Sequence, residues 1–141
     1  MKILLAVDGS KSSTQTASWI AKHSALFAAP VEIVLFHAGQ RLMRTVEIRL
    51  GRSETASYYA SMSKYAFAAA RRVLKRAGIA FDESFELGSD AAELIARAAV
   101  QKRCDLVLIG SRGHGPIRQA LLGSIAAKVI ARSTVPVLVA R

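Results

Sequence analysis

Short, nearly unbroken apolar runs alternate along this chain with longer segments in which apolar residues recur at helical spacing. Ile3 to Val7 is a continuous apolar run that stops at Asp8-Gly9-Ser10, the pattern of a strand buried on both faces and feeding a turn. Ser12 and Gln15 stand at capping-box spacing. Ile20, Ala21, Ser24, Phe27 and Ala28 then predict a first helix, closed by Pro30. Val31 to Phe36 predicts a second strand. From Tyr58 the stripe Met62, Tyr65, Ala66, Ala69 and Val73 predicts a long helix, with Gly78 at its C′ position. Ile79 to Leu87 predicts a third strand. Asp90 and Glu93 mark a capped helix start, with Leu94, Ile95 and Ala98 on the buried side. Asp105 to Ile109, Ser124 to Ala131 and Val135 to Val139 complete the pattern as strand, helix and strand. Pro136 assigns the last of these to a sheet edge.

Strands that alternate with helices in this way imply βαβ crossovers, hence an α/β fold with a parallel five-stranded sheet covered on both faces. The reading is one domain over residues 1–141, without repeats or linkers. One stretch, Ala38 to Ser53, shows no period and is expected to be an irregular loop. It carries Arg41, Arg44, Arg49 and Arg52 against the single acid Glu47. A loop of that length in a small domain is functional or mobile.

Composition narrows the class. With 52% apolar residues the chain can build a core without disulfides or a structural metal, and intrinsic disorder is excluded. Cys104 is the one cysteine, which fits a reducing compartment and precludes an intrachain disulfide. The opening apolar run is too short for a signal-peptide core or a membrane span, so a cytoplasmic location without a membrane partner is expected. The formal net charge is +10, which favours anionic partners. Nucleic acid is disfavoured among these, because no interleaved aromatics or recognition motif accompany the basic residues. Charge is also unevenly spread. Asp82, Glu83, Glu86, Asp90 and Glu93 form an acidic block, whereas no carboxylate side chain occurs after Asp105. The final third is therefore where a bound anion is expected.

The chemistry points to the same third. Gly110-Ser111-Arg112-Gly113 follows a predicted strand, and Gly123-Ser124 follows after nine residues, His114 to Leu122, at a predicted helix start. In open parallel sheets, ligands sit beyond the carboxyl ends of the strands. Glycines there let backbone N–H groups approach an anion, and a helix start adds free N–H groups and a positive dipole end. Together these would form a phosphate cradle; ordinary glycine punctuation of a loop is the competing reading. Asp8 likewise admits two readings, a helix cap or a ligand contact. Arg112 is either a phosphate contact or a solvated surface arginine.

Other motifs exclude neighbouring classes. Gly110 to Gly115 has the outer glycines of a Walker loop, but Pro116-Ile117 stands where Lys-Ser/Thr is required. The dinucleotide fingerprint, the serine-hydrolase elbow and the clustered acids of a receiver domain are absent. A flavodoxin would be acidic and aromatic around its flavin. His23, His37 and His114 are too dispersed for a metal site. No residue stands out as a general base, so no catalytic residue is assigned and at most slow hydrolysis of a bound phosphate ligand is expected.

Gly-x-x-Gly, nine residues, then Gly-Ser resembles the nucleotide-binding signature of the universal stress protein family. Ala6-Val7-Asp8-Gly9-Ser10 is similar to that family's first strand and turn. Asp105 to Gly110 with Ser111-Arg112-Gly113 resembles its fourth strand and loop, and Ser133 to Val139 its last strand. The resemblance implies an adenine nucleotide alpha hydrolase-like fold of strand order 3-2-1-4-5. It implies ATP, with ADP or AMP as alternatives, over the carboxyl ends of the first and fourth strands. Asp8 would then meet the ribose, Ala38, just after the second strand, the adenine through its backbone, and Ile109 the nucleoside. Gly110, Gly113, Gly123, Ser124 and Ile125 would line the phosphates, and Arg112 would reach one of them. Mg²⁺ or Mn²⁺ would accompany the nucleotide, held mainly by phosphate and water. The implied role is stress response or signalling, by a homodimer joined through the C-terminal strand. The rival is a nucleotide-free interaction module of the same fold.

Overall fold

The N-terminal apolar run forms β1 (Lys2–Ala6), in which Ile3, Leu4 and Leu5 are wholly shielded from solvent. Shielding on both faces needs paired strands on either side and helices above and below. The computed structural model, which describes residues 1–27, 30–111 and 122–140, supplies both. β2 (Glu32–Gln40), β3 (Phe81–Gly88), β4 (Leu106–Gly110) and β5 (Val137–Ala140) join β1 in one sheet of order β3-β2-β1-β4-β5. Every pairing is parallel; Leu4, at its centre, lies opposite both Val34 and Val107. The strand order is the expected one. Pro136 precedes β5 at the sheet edge, where a residue without an N–H disturbs no ladder.

Alternation along the strands divides the core in two. Ile3, Leu5, Val7 and Leu35 face α1 (Lys11–His23) and α2 (Arg44–Arg76), meeting Ala17, Ile20, Phe67, Ala70 and Leu74. Leu4, Ala6, Val34 and Phe36 face α3 (Ala91–Gln101) and α4 (Ser124–Arg132), meeting Leu94, Ile95, Ala98, Ala126 and Val129. Each buried Leu or Ile contributes about 1.5–3 kcal/mol, so the two layers outweigh any single polar contact. Cys104 is buried in the second layer, where burial pushes its thiol pKa up; it packs rather than reacts.

Several boundaries depart from the pattern read in the sequence. The predicted loop from Ala38 to Ser53 is largely regular. β2 runs on to Gln40 because Ala38, Gly39 and Gln40 pair with Glu86, Leu87 and Gly88 of β3. α2 begins at Arg44 instead of Tyr58, and is broken at Gly51, whose φ of 79° no helix accommodates. No residue of α2 before Ala66 is buried, so this part has no apolar stripe to betray it. The first helix is capped by Ser10, whose side chain accepts the Ser13 N–H at 3.1 Å; Ser12 lies inside the helix. It ends at His23 in a 3₁₀ turn (Ser24–Leu26), leaving Phe27 extended. Ala28 lies outside the described residues.

Both long-helix exits close in the same way. After α2, Ile79 N–H donates to the Leu74 carbonyl and Gly78 N–H to Lys75, with Gly78 at φ +67°. After α3, Cys104 N–H donates to Ala99 and Arg103 N–H to Val100, with Arg103 at φ +53°. These are Schellman closures, one on the expected glycine and one on an arginine.

The acidic block is used structurally. Glu83 binds Arg71 of α2, Glu86 binds Arg97 of α3, and Asp90 binds Arg132 of α4. The Arg132 guanidinium holds the Asp90 carboxyl below the usual carboxylate range, while Asp90 also caps α3 by accepting from Ala92 and Glu93 N–H.

Candidate functional site

Asp8 follows the carboxyl end of β1, where the chain must reverse into α1. Gly9 makes the turn at φ +80°, and the Asp8 carboxylate accepts the Ser10 N–H at 2.9 Å. Asp8 therefore shapes the turn, while Ser10 caps the helix. The turn is also closely covered: a Cβ on Gly9 would stand 2.6 Å from the Tyr65 ring of α2. Only glycine satisfies both the backbone angle and this approach.

One strand in from the β5 edge, β4 ends at Gly110. Ile109 is buried on the face of the sheet covered by α3 and α4, and Ala38 of β2 packs against the same layer. Ala38 thus lies within β2, opposite Glu86, and not beyond it as expected. Gly110 turns to the opposite face, against α1, where a Cβ would come within 2.5 Å of Ser12 Oγ. The following residue, Ser111, is buried and organises the crossover. Its N–H donates to the Ala140 carbonyl at 2.8 Å, and its carbonyl accepts the Gly123 N–H at 2.7 Å. That second bond brings the start of α4 beside the end of β4, across an intervening segment of which Arg112 and Gly113 are part. Arg112 and Gly113 lie outside the described residues, as does His114.

Gly123 is the N-cap of α4, with φ −70° and ψ 152°, and offers no side chain to its helix. Ser124 and Ile125 occupy the first helical positions and are exposed. The first N–H groups of α4 thus lack a side-chain cap at Gly123, a helix start able to receive an acceptor from outside. Asp8, Ala38, Ile109, Gly110, Gly123, Ser124 and Ile125 consequently come from three strand ends and one helix start, all at the carboxyl edge of the sheet.

His37 is buried on β2 on the other face, stacked on Phe85 at 5.6 Å and edge-on to Phe67 at 6.4 Å. Its Nδ1 lies 2.7 Å from the Val7 carbonyl. A carbonyl only accepts, so Nδ1 carries the proton and Nε2 the lone pair of the neutral ring. Burial lowers the imidazole pKa, and the hydrogen bond to Val7 and the Asp8 charge oppose that shift. His37 is a packing residue that ties β2 to the end of β1. His23, in α1, points its Nδ1 to the Trp19 carbonyl and stacks on the Trp19 ring.

The role of Ser111 was not foreseen, because a backbone carbonyl leaves no mark on residue type. A second feature adjoins the ends of β4 and β5. A groove of about 540 Å³ runs along β5, lined by Trp19, Leu122, Ile130, Leu138, Val139 and Ala140. Among the described residues no group of His, Cys, Asp and Glu is placed to hold a metal ion, and no helix is long and apolar enough to cross a membrane.

Known proteins share this fold. A universal stress protein of Synechocystis is 29% identical over 140 residues; the match takes in 99% of this chain and 42% of that protein, so the chain spans less than half of its relative's length. A solved universal stress protein in complex with cAMP superposes with a TM-score of 0.70 at 23% identity, covering 100% of this chain and 97% of the other. The universal stress protein of Archaeoglobus fulgidus in complex with dAMP gives a TM-score of 0.66 at 22% identity, covering 100% and 98%. At such identities these likenesses speak for the fold. The description "Universal stress protein family" matches residues 1–141, the whole length over which strand order, turn and helix start have just been traced, and the chain belongs to that family.

Proposed function

We propose that this protein binds ATP, with ADP or AMP as alternatives, at the carboxyl edge of β1 and β4, and acts in stress response or signalling by binding more than by turnover. The observation that carries the reading is the Gly123 N–H to Ser111 carbonyl bond, which sets an α4 start without a side-chain cap beside the glycine-bearing end of β4. Relatives of the same fold hold cAMP and dAMP, which supports an adenine nucleotide as the ligand class.

In this reading the Asp8 carboxylate accepts from ribose hydroxyls, since an acid beside phosphate would be repelled. The Ala38 backbone meets adenine, and Ile109 packs against the nucleoside. Gly110, Gly113, Gly123, Ser124 and Ile125 line the phosphates, with the Gly123 N–H kept on the Ser111 carbonyl and the helix-start N–H groups of Ser124 and Ile125 left for the ligand, and Arg112 adds a cation. Mg²⁺ or Mn²⁺ would offset phosphate charge through phosphate oxygens and water. The cell interior is where this ligand is abundant, which suits a cytoplasmic location.

Mass spectrometry of the denatured, purified protein should reveal a co-purified adenine nucleotide. Calorimetric titration should show Gly123→Val weakening ATP about tenfold or more, roughly 1.4 kcal/mol. Gly123 already has backbone angles open to any residue, so the loss would report bulk facing the ligand and not strain. Ser124→Ala should cost less, about 0.5–1.5 kcal/mol for one hydrogen bond. Unchanged ATP affinity in Gly123→Val and Gly113→Val would overturn the cradle.

The β5 edge favours a homodimer, and the groove beside it is the observation that supports the rival, a nucleotide-free interaction module. Sedimentation of the full chain and of a variant lacking residues 135–141 tests the dimer; a monomer at micromolar concentration, or a dimer surviving the deletion, rejects it.

A further inference from the structure

From Arg44 to Tyr65, α2 contributes no buried residue to the core. A solvated helix needs none, provided its side chains are polar. Here they are not: Met43 is 73% exposed, Ile48 70% and Leu50 42%, and Tyr58 is exposed as well. Arg41, Arg44, Arg49 and Arg52 are exposed between them. Of the two carboxylates between residues 41 and 58, Glu47 is turned inward and accepts the Tyr59 hydroxyl at 2.8 Å, leaving Glu54 as the counter-charge. Gly51 breaks the helix at φ 79° and ψ 168°, and a Cβ there would meet nothing within 4 Å. The break is therefore an outward corner, carrying apolar and cationic side chains on both of its legs.

We propose that this corner docks on an anionic lipid surface, contrary to the sequence expectation of no membrane partner and independent of the nucleotide reading. A bilayer interface offers what this mixture requires within a short depth: phosphates for arginines and an acyl boundary for Met43, Ile48 and Leu50. Arginine stems can lie along apolar surface while the guanidinium stays at the headgroups. The alternatives match less well. A second copy of the corner across a two-fold axis would set arginine against arginine. An acidic peptide needs a groove, and a Cβ on Gly51 would meet nothing within 4 Å. A nucleic acid would leave Met43, Ile48 and Leu50 without an apolar partner. The net charge of +10 adds a long-range attraction to the same surface. Binding through one small patch is reversible and weakens with salt.

The experiment is flotation of the full chain with phosphatidylcholine vesicles, with and without phosphatidylglycerol. The protein should float only with the anionic vesicles and be released by salt. Ile48→Ser with Leu50→Ser changes no charge and should reduce the bound fraction about tenfold; Arg44→Gln with Arg49→Gln should do the same. Arg72→Gln with Arg76→Gln removes equal charge from exposed positions at the far end of α2 and should leave binding unchanged. Circular dichroism and unchanged melting establish that each variant is folded. No flotation with anionic vesicles overturns the proposal. So does full retention in the serine pair, or equal loss in the Arg72 and Arg76 pair, since both mean non-specific attraction. Displacement of vesicles by an acidic peptide or RNA at equal charge, or a serine pair that instead dissociates a dimer, assigns the patch elsewhere and also overturns it.

Discussion

Gly110 and Ser12 approach so closely that a Cβ on Gly110 would lie 2.5 Å from Ser12 Oγ, with Thr16 Oγ1 at 3.1 Å behind it. The end of β4 is thus seated on the first turn of α1, and the site's geometry depends on the absence of a single methyl group. Gly110→Ala should destabilise the fold by about 1–3 kcal/mol, the cost of overpacking a filled interface. Adding Ser12→Ala should recover part of that loss, since it removes the nearest atom but not Thr16. Urea unfolding of the single and double variants measures the coupling; strict additivity would mean the two residues do not meet.

The two Schellman closures provide a matched pair. Arg103 adopts φ +53°, a region costing a non-glycine residue about 1–2 kcal/mol, whereas Gly78 holds the equivalent place after α2. Arg103→Gly should stabilise by about 1 kcal/mol, part of the gain being offset by the freer unfolded chain. Gly78→Ala should destabilise by about the same amount. Denaturant midpoints at constant slope check both signs.

His37 gives stability a pH dependence of defined sign. Its folded pKa lies below the ordinary 6.5 because burial disfavours the imidazolium. Below 6.5 the unfolded chain binds a proton that the native state resists, so stability is full above that pH and declines as pH falls towards the folded value. His37→Gln keeps a side-chain donor near Val7 without titrating. It should flatten this part of the profile. An identical acid limb in the variant would remove His37 from the account.

Tyr59 pins the start of α2. Its hydroxyl accepts the Leu42 N–H and donates to Glu47, both at 2.8 Å. Tyr59→Phe deletes both bonds, each worth about 0.5–1.5 kcal/mol. The Leu42 amide should exchange with solvent several-fold faster, and trypsin should cut sooner at Arg44, Arg49 and Arg52, with global stability little changed. Unaltered exchange at Leu42 would show the segment to be held by something else.

The strands, α3, and the Gly78 exit were legible in the residues because each depends on local composition: apolar runs, a capping acid, a glycine where φ must be positive. The family resemblance was legible for a related reason, since its motif falls on turns that demand particular residue types. The N-terminal half of α2 was not, because it buries nothing and so leaves no period. Nor was the extension of β2, which follows from pairing with β3 more than from its own residues. The acidic block had no partners legible in the sequence; the fold sets Arg71, Arg97 and Arg132 against it from three separate helices. Most of all, the bond between Ser111 and Gly123 is invisible in the chain. It joins two backbone groups, and only the packing of β4, β5 and α4 decides that they meet. Residue types determine which local shapes are affordable, whereas the convergence of distant backbone atoms at the sheet's carboxyl edge is a property of the assembled layers.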